Sequence, residues 1–218
     1  MSDKKDEQLS GEIAGFEFVL NSLVAAPEIA TIMQAHGFPQ ERIDAGLALV
    51  QTARAKQQAR GVEVGNRLKA TTNFEQAFAA ASKAYADFRE TARAHFESAS
   101  ANPDAWESLK LTGVTPRKVD SFIDTAYATY DNALANPEIM AALAPYGYVA
   151  AKIGEARGLV AAVRAADQTQ EHAKGAALRA TTEQDEAVEQ AKAWVKAFKR
   201  IARRALLDRP DLLVKLKM

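Results

Sequence analysis

The chain has 218 residues, of which 48% are apolar, and its 28 lysines and arginines balance 28 aspartates and glutamates. The apolar content is sufficient for a packed core, and the zero net charge argues against a protein that coats nucleic acid. The chain contains no cysteine, which excludes disulfides, thiolate metal sites and cysteine nucleophiles.

The N-terminal sequence and the hydropathy predict a cytoplasmic protein. Residues 1–20 lack the apolar core and the cleavage site of a signal peptide. No apolar run approaches the ~18 residues that a membrane-spanning helix needs, so no membrane span is expected. Residues 1–8 are mostly polar and are expected to form a disordered tail.

The residue types predict an all-α fold. Alanine, leucine, glutamate, lysine, glutamine and arginine are abundant, and all of them favour helices. In chain order we expect a helix over 9–25, a short helix after Pro27, a helix from Pro39 into the sixties, a long helix over Phe74–Phe96 and a short terminal helix. The second half of the chain repeats this order, beginning with a helix over 116–135.

A repeat with an offset of 110 residues underlies this order. The segment "APEIATIMQAHGF" at 26–38 recurs as "NPEIMAALAPYGY" at 136–148, and "ATT" at 70–72 recurs at 180–182. We infer a tandem duplication of a roughly 100-residue helical unit. The repeat units are expected at 9–112 and 113–218, packed together, each as an up-down helical bundle with short extra helices.

The recurring segment has the start and stop signals of a short helix. Asn136 is expected to cap its helix, with Pro137 in the first turn. Gly37 fits the C′ position of a Schellman motif, the residue after the C-cap. Pro145 removes a helical donor, which predicts that the second copy ends early.

The position at which the two long helices of each repeat separate is ambiguous. The apolar pattern continues in phase from Ile43 to Phe96, yet a helix of that length would need an equally long partner. We therefore expect a turn within 58–73 and another within 168–183. We favour the Thr72 and Thr182 sites because each threonine has a carboxylate three residues later, the spacing of a capping box. The polar stretches around Gly65 and Gly175 are the alternative positions. Thr115, followed by a proline, is expected to cap the first helix of the second repeat.

No pattern predicts a metal site, a cofactor site or a catalytic centre. The Glu-x-x-His motif of di-iron bundles does not occur, and His36, His95 and His172 are not repeated in the other half. Phosphate-binding glycine loops and nucleophile elbows are also missing from the sequence. We therefore expect a non-enzymatic protein without metal or cofactor.

Arg54 and Gln58 recur as Arg164 and Gln168, so both halves keep an arginine and a glutamine four residues apart on one helix face. If the halves meet about a pseudo-twofold axis, the two arginines would converge on an anion or on acidic groups of a partner. The alternative, which we favour, is an internal polar network that ties the long helices together.

The last long helix is amphipathic and basic. Its outer, basic face consists of Lys192, Lys196, Lys199, Arg200, Arg203 and Arg204. Its apolar stripe aligns with the Phe74–Phe96 stripe and is expected to be buried, so it is not free to enter a membrane. The basic face is then either solvated or binds an acidic partner, with RNA, DNA or a membrane surface as a further alternative.

These observations rank the functional hypotheses. The first is an adaptor or protein-interaction scaffold with an unidentified protein partner. The second is a small-ligand or anion-binding protein with a cleft between the repeats, lined by Arg54 and Arg164. The third is binding of an acidic partner or nucleic acid through the basic face, and an enzyme whose residues converge only in three dimensions comes last.

Overall fold

The computed structural model describes the backbone of residues 2–217 and the side chains of residues 7–217. It confirms the all-α prediction, because every regular element within those residues is helical. The elements are α1 (Ser2–Ala25), α2 (Pro27–Ala35), α3 (Gln40–Phe96), α4 (Pro103–Ser108), α5 (Val119–Ala135), α6 (Pro137–Leu143) with a 3₁₀ turn (Ala144–Tyr146), α7 (Ala150–Ala205) and α8 (Pro210–Lys215).

Contacts divide the chain into two compact units, unit 1 formed by Met1–Gly65 with Gly175–Met218, and unit 2 formed by Asn66–Lys174. Unit 1 contains α1, α2, the first part of α3, the last part of α7 and α8. Unit 2 contains the second part of α3, the helices α4 to α6 and the first part of α7. This division differs from the expected units 9–112 and 113–218, because α3 and α7 each contribute to both compact units.

The turns expected within 58–73 and 168–183 do not form, because α3 and α7 are continuous through both segments. The two threonines expected to cap new helices lie inside these helices instead. The hydroxyl of Thr72 donates to the carbonyl oxygen of Leu68 at 3.2 Å, and that of Thr182 donates to Leu178 at 3.3 Å. Such bonds to the preceding turn are compatible with an uninterrupted helix.

The long helices are stable because each unit supplies a packing partner for its part of them. In unit 1 the indole of Trp194 donates to the carbonyl oxygen of Arg42 at 3.1 Å, and Lys56 pairs with Glu183 at 2.6 Å. Arg42 precedes Lys56 in α3, whereas Trp194 follows Glu183 in α7. The two helical segments therefore run antiparallel. The predicted turns were wrong because spacing within one helix does not reveal this pairing of α3 with α7.

The core of unit 1 combines residues from both ends of the chain. It is built from α1, α2, α3, α7 and α8, with Ile13, Leu20, Ile29, Met33, Phe38, Ile43, Val50, Val188, Phe198, Ala202, Leu206, Leu212 and Leu216 among its buried members. Phe38 meets Phe198 edge to face, with ring centroids 5.3 Å apart. The apolar stripe of the basic helix is therefore used in this core.

The core of unit 2 is richer in aromatic residues. Tyr85, Phe88, Phe122, Tyr130 and Tyr148 are buried there. Their rings meet edge to face, as in the pairs Tyr85–Phe122 at 5.7 Å and Phe88–Tyr148 at 5.2 Å between centroids. Such contacts fix ring orientations as well as burying apolar area.

The corner segments follow the predicted capping chemistry. The side chain of Asn136 accepts from the backbone N–H groups of residues 138 and 139, with Pro137 in the first turn. Gly37 has a φ of 84°, and the N–H of Phe38 donates to the carbonyl oxygen of Met33 at 3.0 Å, as a Schellman motif requires. The second copy ends α6 at Leu143 and continues as the 3₁₀ turn, as its proline predicts.

Two predicted boundaries need correction. The segment over 1–8, expected to be a disordered tail, belongs to α1 from Ser2 onward, because it contains helix-forming polar residues and no glycine or proline. Met1 lies outside the described residues. Helix α5 begins at Val119 rather than after Thr115. The hydroxyl of Thr115 instead accepts from Arg89 at 3.1 Å.

Candidate functional site

Arg54 lies in unit 1, on the exposed side of α3 beside α1. Its Nη1 donates to Gln57 at 2.9 Å, and its Nε lies 3.9 Å from the carboxylate of Glu17. Together with Gln58 it lines a groove of about 350 Å³ between α1 and α3. Half-buried Leu47 also lines this groove.

Arg164 lies at the corresponding place in unit 2, where α7 packs beside α5. Its Nη2 is 3.6 Å from the carboxylate of Asp124, and its guanidinium lies over the ring of Tyr127, 5.0 Å from the centroid. Arg157 covers the same ring and pairs with Asp131 at 2.5 Å. Gln168, the counterpart of Gln58, is exposed.

The two predicted arginines therefore have similar local surroundings. Arg54 belongs to unit 1 and Arg164 to unit 2, and each has a carboxylate of the neighbouring helix as its partner. A guanidinium that already faces a carboxylate offers less attraction to a second anion. This pairing favours a polar network between neighbouring helices within each unit.

The basic face lies in unit 1, on the last part of α7. At its N-terminal end, Lys192 lies 3.7 Å from Glu12 of α1 and 3.5 Å from Glu189 of its own helix. An acidic residue near the N-terminus therefore neutralises the first member of the basic face.

Among the described side chains, no carboxylate pairs with the other members of the basic face, which are Lys196, Lys199, Arg200, Arg203 and Arg204. Lys199 is half-buried and the remaining four are exposed. Two apolar side chains that follow the basic face in sequence, Leu207 and Val214, are 73% and 72% exposed.

A second arginine cluster lies in unit 2. Arg89 and Arg93 of α3, called here the arginine clamp, hold the irregular segment that follows α4. The Nη2 of Arg89 lies 3.0 to 3.4 Å from four consecutive carbonyl oxygens, those of residues 110–113. Arg93 donates to the carbonyl oxygens of Leu111 at 2.9 Å and Gly113 at 2.6 Å.

Arg89 is only 4% exposed, and its Nε has no hydrogen-bond partner among the described residues. Burial lowers the pKa of its guanidinium below the usual value, and the positive charge of Arg93 contributes to the decrease. Backbone carbonyl oxygens, rather than a carboxylate, therefore solvate this buried cation.

A cavity of about 530 Å³ lies beside the clamp, lined in part by Tyr85, Trp106, Lys110 and Val114. The hydrogen bonds of Arg89 are directed to the backbone that forms the wall of this cavity. These hydrogen bonds hold the wall of the cavity in place. A signal for the clamp was present in the sequence, because Arg89 follows Tyr85 by four residues and adjoins Phe88, within the apolar stripe of α3.

Two of the three histidines make local hydrogen bonds, and the third, His172, is exposed. The Nδ1 of His36 lies 2.9 Å from the carbonyl oxygen of Ile32, and that of His95 lies 3.3 Å from the hydroxyl of Tyr146. Within the described part of the chain, no three histidine or acidic side chains come close enough to hold a metal ion.

Within the same residues, no single helix has the length and apolar content to cross a membrane. One bent pair, Glu7–Ala25 with Pro27–Ala35 at 95°, meets the criteria when its two members are taken together. Comparison of the chain with protein-family models, curated proteins and solved structures finds no match.

Proposed function

We propose that this protein is a non-enzymatic helical scaffold that binds an acidic segment of a partner protein through the basic face of unit 1. The observation that supports the proposal is the row of basic side chains without a described carboxylate partner. By contrast, Lys56, Arg157 and Arg209 elsewhere are each within hydrogen-bond distance of a carboxylate. Unpaired charge on one face attracts an oppositely charged partner and directs its approach.

The position of the apolar stripe supports a protein partner over a membrane. Phe198 and Ala202 of the same helix, and Leu206 directly after its end, are fully buried in unit 1. An amphipathic helix that enters a membrane surface needs its apolar face for that purpose. Exposed Leu207 and Val214 supply a small apolar area, which suits a protein interface with a charged rim.

The overall charge supports an acidic protein over nucleic acid. Basic and acidic residues are equal in number, 28 of each. Proteins that bind nucleic acid along its phosphates generally carry a clear basic excess. A single row of cations on one helix matches an acidic peptide segment better than an extended polyanion.

The test is binding to immobilised poly-glutamate, compared with duplex DNA, over a series of salt concentrations. The variant Lys196→Glu, Arg200→Glu, Arg204→Glu should lose retention on poly-glutamate. The control Lys69→Glu, Arg117→Glu, Lys118→Glu changes the net charge equally, at exposed positions of unit 2, and should retain binding. Equal retention of both variants would contradict the proposal, and stronger binding of the wild type to DNA would favour nucleic acid.

We also infer that the chain arose by tandem duplication and that the two repeats have exchanged halves. The helices α3 and α7 begin 110 residues apart, at Gln40 and Ala150. The corner glycines, Gly37 and Gly147, have φ values of 84° and 81°. Each compact unit then combines the first half of one repeat with the second half of the other.

A further inference from the structure

In unit 2 the ring of Tyr127 on α5 lies against two arginines of α7. The centroid of the ring is 4.9 Å from the guanidinium of Arg157 and 5.0 Å from that of Arg164. The Nη2 of Arg164 also lies 3.6 Å from the carboxylate of Asp124. One guanidinium can therefore pair with a carboxylate and cover an aromatic ring at the same time.

In unit 1 the residues 110 positions earlier are Glu17, Leu47 and Arg54, and all three line the groove of about 350 Å³ between α1 and α3. The surrounding helices correspond as well, because three pairs at this spacing are buried in both units: Ile13 with Ile123, Leu20 with Tyr130, and Val50 with Val160. The described residues that line the groove include no aromatic side chain. The groove of unit 1 therefore lies where unit 2 holds a phenol ring.

The lining of this groove combines an apolar surface with a balanced pair of charges. Half-buried Leu47 and buried Val50 supply the apolar part. The Nε of Arg54 lies 3.9 Å from the carboxylate of Glu17, so the two charges offset each other and favour a neutral ligand over an anion. The side chain of Arg54 remains 47% exposed, so its guanidinium can cover a ring as that of Arg164 does.

Three carboxamides, those of Asn21, Gln51 and Gln58, also line the groove. All three side chains are exposed, and no described residue forms a hydrogen bond with them. A carboxamide both donates and accepts hydrogen bonds, so it can bind a hydroxyl group in either role. The groove therefore suits a ring that carries a polar substituent.

We propose that this groove binds a small, neutral aromatic molecule such as a phenol, with the ring against Leu47 and the guanidinium of Arg54. A cavity of about 150 Å³ is sufficient for benzene, so the groove has room for one ring and its substituents. Its volume is that of a small-molecule site, whereas a specific protein interface buries roughly 800 Å² on each partner. This inference does not rest on the basic face, which belongs to α7.

The experiment titrates the full ¹⁵N-labelled chain with p-cresol, which has the ring and hydroxyl of a tyrosine side chain. The side-chain amide signals of Asn21, Gln51 and Gln58 should shift and saturate, with a dissociation constant of about 1 mM or lower. The saturated analogue, p-methylcyclohexanol, should bind about threefold or more weakly, because it lacks the π system that attracts a guanidinium. Lack of saturation by p-cresol up to about 10 mM, or equal binding of the saturated analogue, would overturn the proposal.

A tyrosine at position 17 transfers the arrangement of unit 2 into unit 1. The new ring should occupy the groove beside Arg54, so Glu17→Tyr should abolish binding of p-cresol. Ala48→Tyr is the matched control, because Ala48 is exposed on α3 and does not line the groove, and this variant should bind like the wild type. If the two variants bind p-cresol equally well, the ligand does not lie in this groove and the proposal fails.

Arg54→Gln tests the contact with the guanidinium. Glutamine keeps a polar group but removes the charge, so affinity for p-cresol should fall about threefold, whereas affinity for the saturated analogue should not change. Equal changes for both compounds would show that Arg54 does not contact the ring. N-acetyltyrosinamide, which carries the same ring on a peptide backbone, should bind no more tightly than p-cresol. Tighter binding of this amide would identify a peptide side chain as the ligand and overturn the small-molecule proposal.

Discussion

Gly46 of α3 lies directly against the indole of Trp194 on α7. A β-carbon at Gly46 would come within 2.7 Å of the indole Cδ2 and closer to two other ring carbons. The indole has little freedom to move, because it stacks on Phe198 at 5.4 Å and donates to the carbonyl oxygen of Arg42. Gly46→Ala should therefore destabilise unit 1 by about 1–3 kcal/mol through overpacking.

Gly61→Ala is the matched control, because it lies on the same helix and in the same unit, with no atom within 4 Å of the new methyl group. Alanine favours a helix interior over glycine, so this variant should gain up to about 1 kcal/mol. Urea unfolding, followed by tryptophan fluorescence, measures the free energy of unfolding of the Gly46→Ala and Gly61→Ala variants. A stabilising Gly46→Ala would show that the helices are not packed as described.

Asn73→Pro distinguishes a continuous α3 from a turn at the Thr-Thr site. If Thr72 capped a new helix, residue 73 would occupy its first position, where proline is well tolerated. In a continuous helix, proline removes a hydrogen bond and clashes with the preceding turn, at a cost of about 3 kcal/mol or more.

Ala150→Pro is the control for this substitution, because Ala150 is the first residue of α7. It should leave the unfolding midpoint nearly unchanged. Circular dichroism during urea unfolding measures both variants. If the Asn73→Pro protein were as stable as the wild type, α3 would contain a turn at this site and would not be continuous.

Arg89→Met tests the arginine clamp. Methionine retains apolar contact but removes the donors that face residues 110–113, which should cost about 3 kcal/mol. Amide hydrogen exchange in residues 111–115 should accelerate together with the loss of stability. Arg117→Met, at an exposed residue of the same unit, should change stability by less than about 0.5 kcal/mol. If amide hydrogen exchange in residues 111–115 were unchanged in Arg89→Met, Arg89 would not hold this segment.

Glu28 links α2 to α8 in unit 1. Lys215 lies 3.0 Å from its carboxylate and Arg209 lies 3.5 Å from it, and chiefly the hydrogen bond from Lys215 holds the pKa of Glu28 below its usual value of 4.5. Since the folded pKa is depressed, this contribution to stability is present above the unfolded pKa and is lost as pH falls through the folded pKa.

The wild type should therefore have a higher melting temperature than Glu28→Gln at neutral pH. The difference should shrink as the pH falls below 4.5 and should disappear once Glu28 is protonated in the folded protein. Glu138→Gln, at the corresponding exposed position of α6, removes a carboxylate that has no described ion-pair partner. At neutral pH it should lower the melting temperature less than Glu28→Gln does. If the difference in melting temperature between the wild type and Glu28→Gln did not change with pH, the lowered pKa of Glu28 would not contribute to stability.

The candidate site was only partly predictable from sequence. Arg54 and Arg164 were identified by repetition, but repetition does not reveal that Glu17 and Asp124 face them from neighbouring helices. The basic face was identified because helical spacing places its members on one side. Arg89 was overlooked because its partners are backbone oxygens, which no side-chain motif displays.

Local sequence patterns were sufficient to predict the helical class, the caps of the corner segments and the buried stripe of each long helix. Those features depend on hydrogen bonds and spacings within a few residues, as at Asn136 and Gly37. The continuity of α3 and α7 and the composition of the two units instead arise from tertiary packing. They depend on contacts such as Lys56 with Glu183, 127 residues apart in sequence, because a long helix persists where another helix covers its apolar stripe.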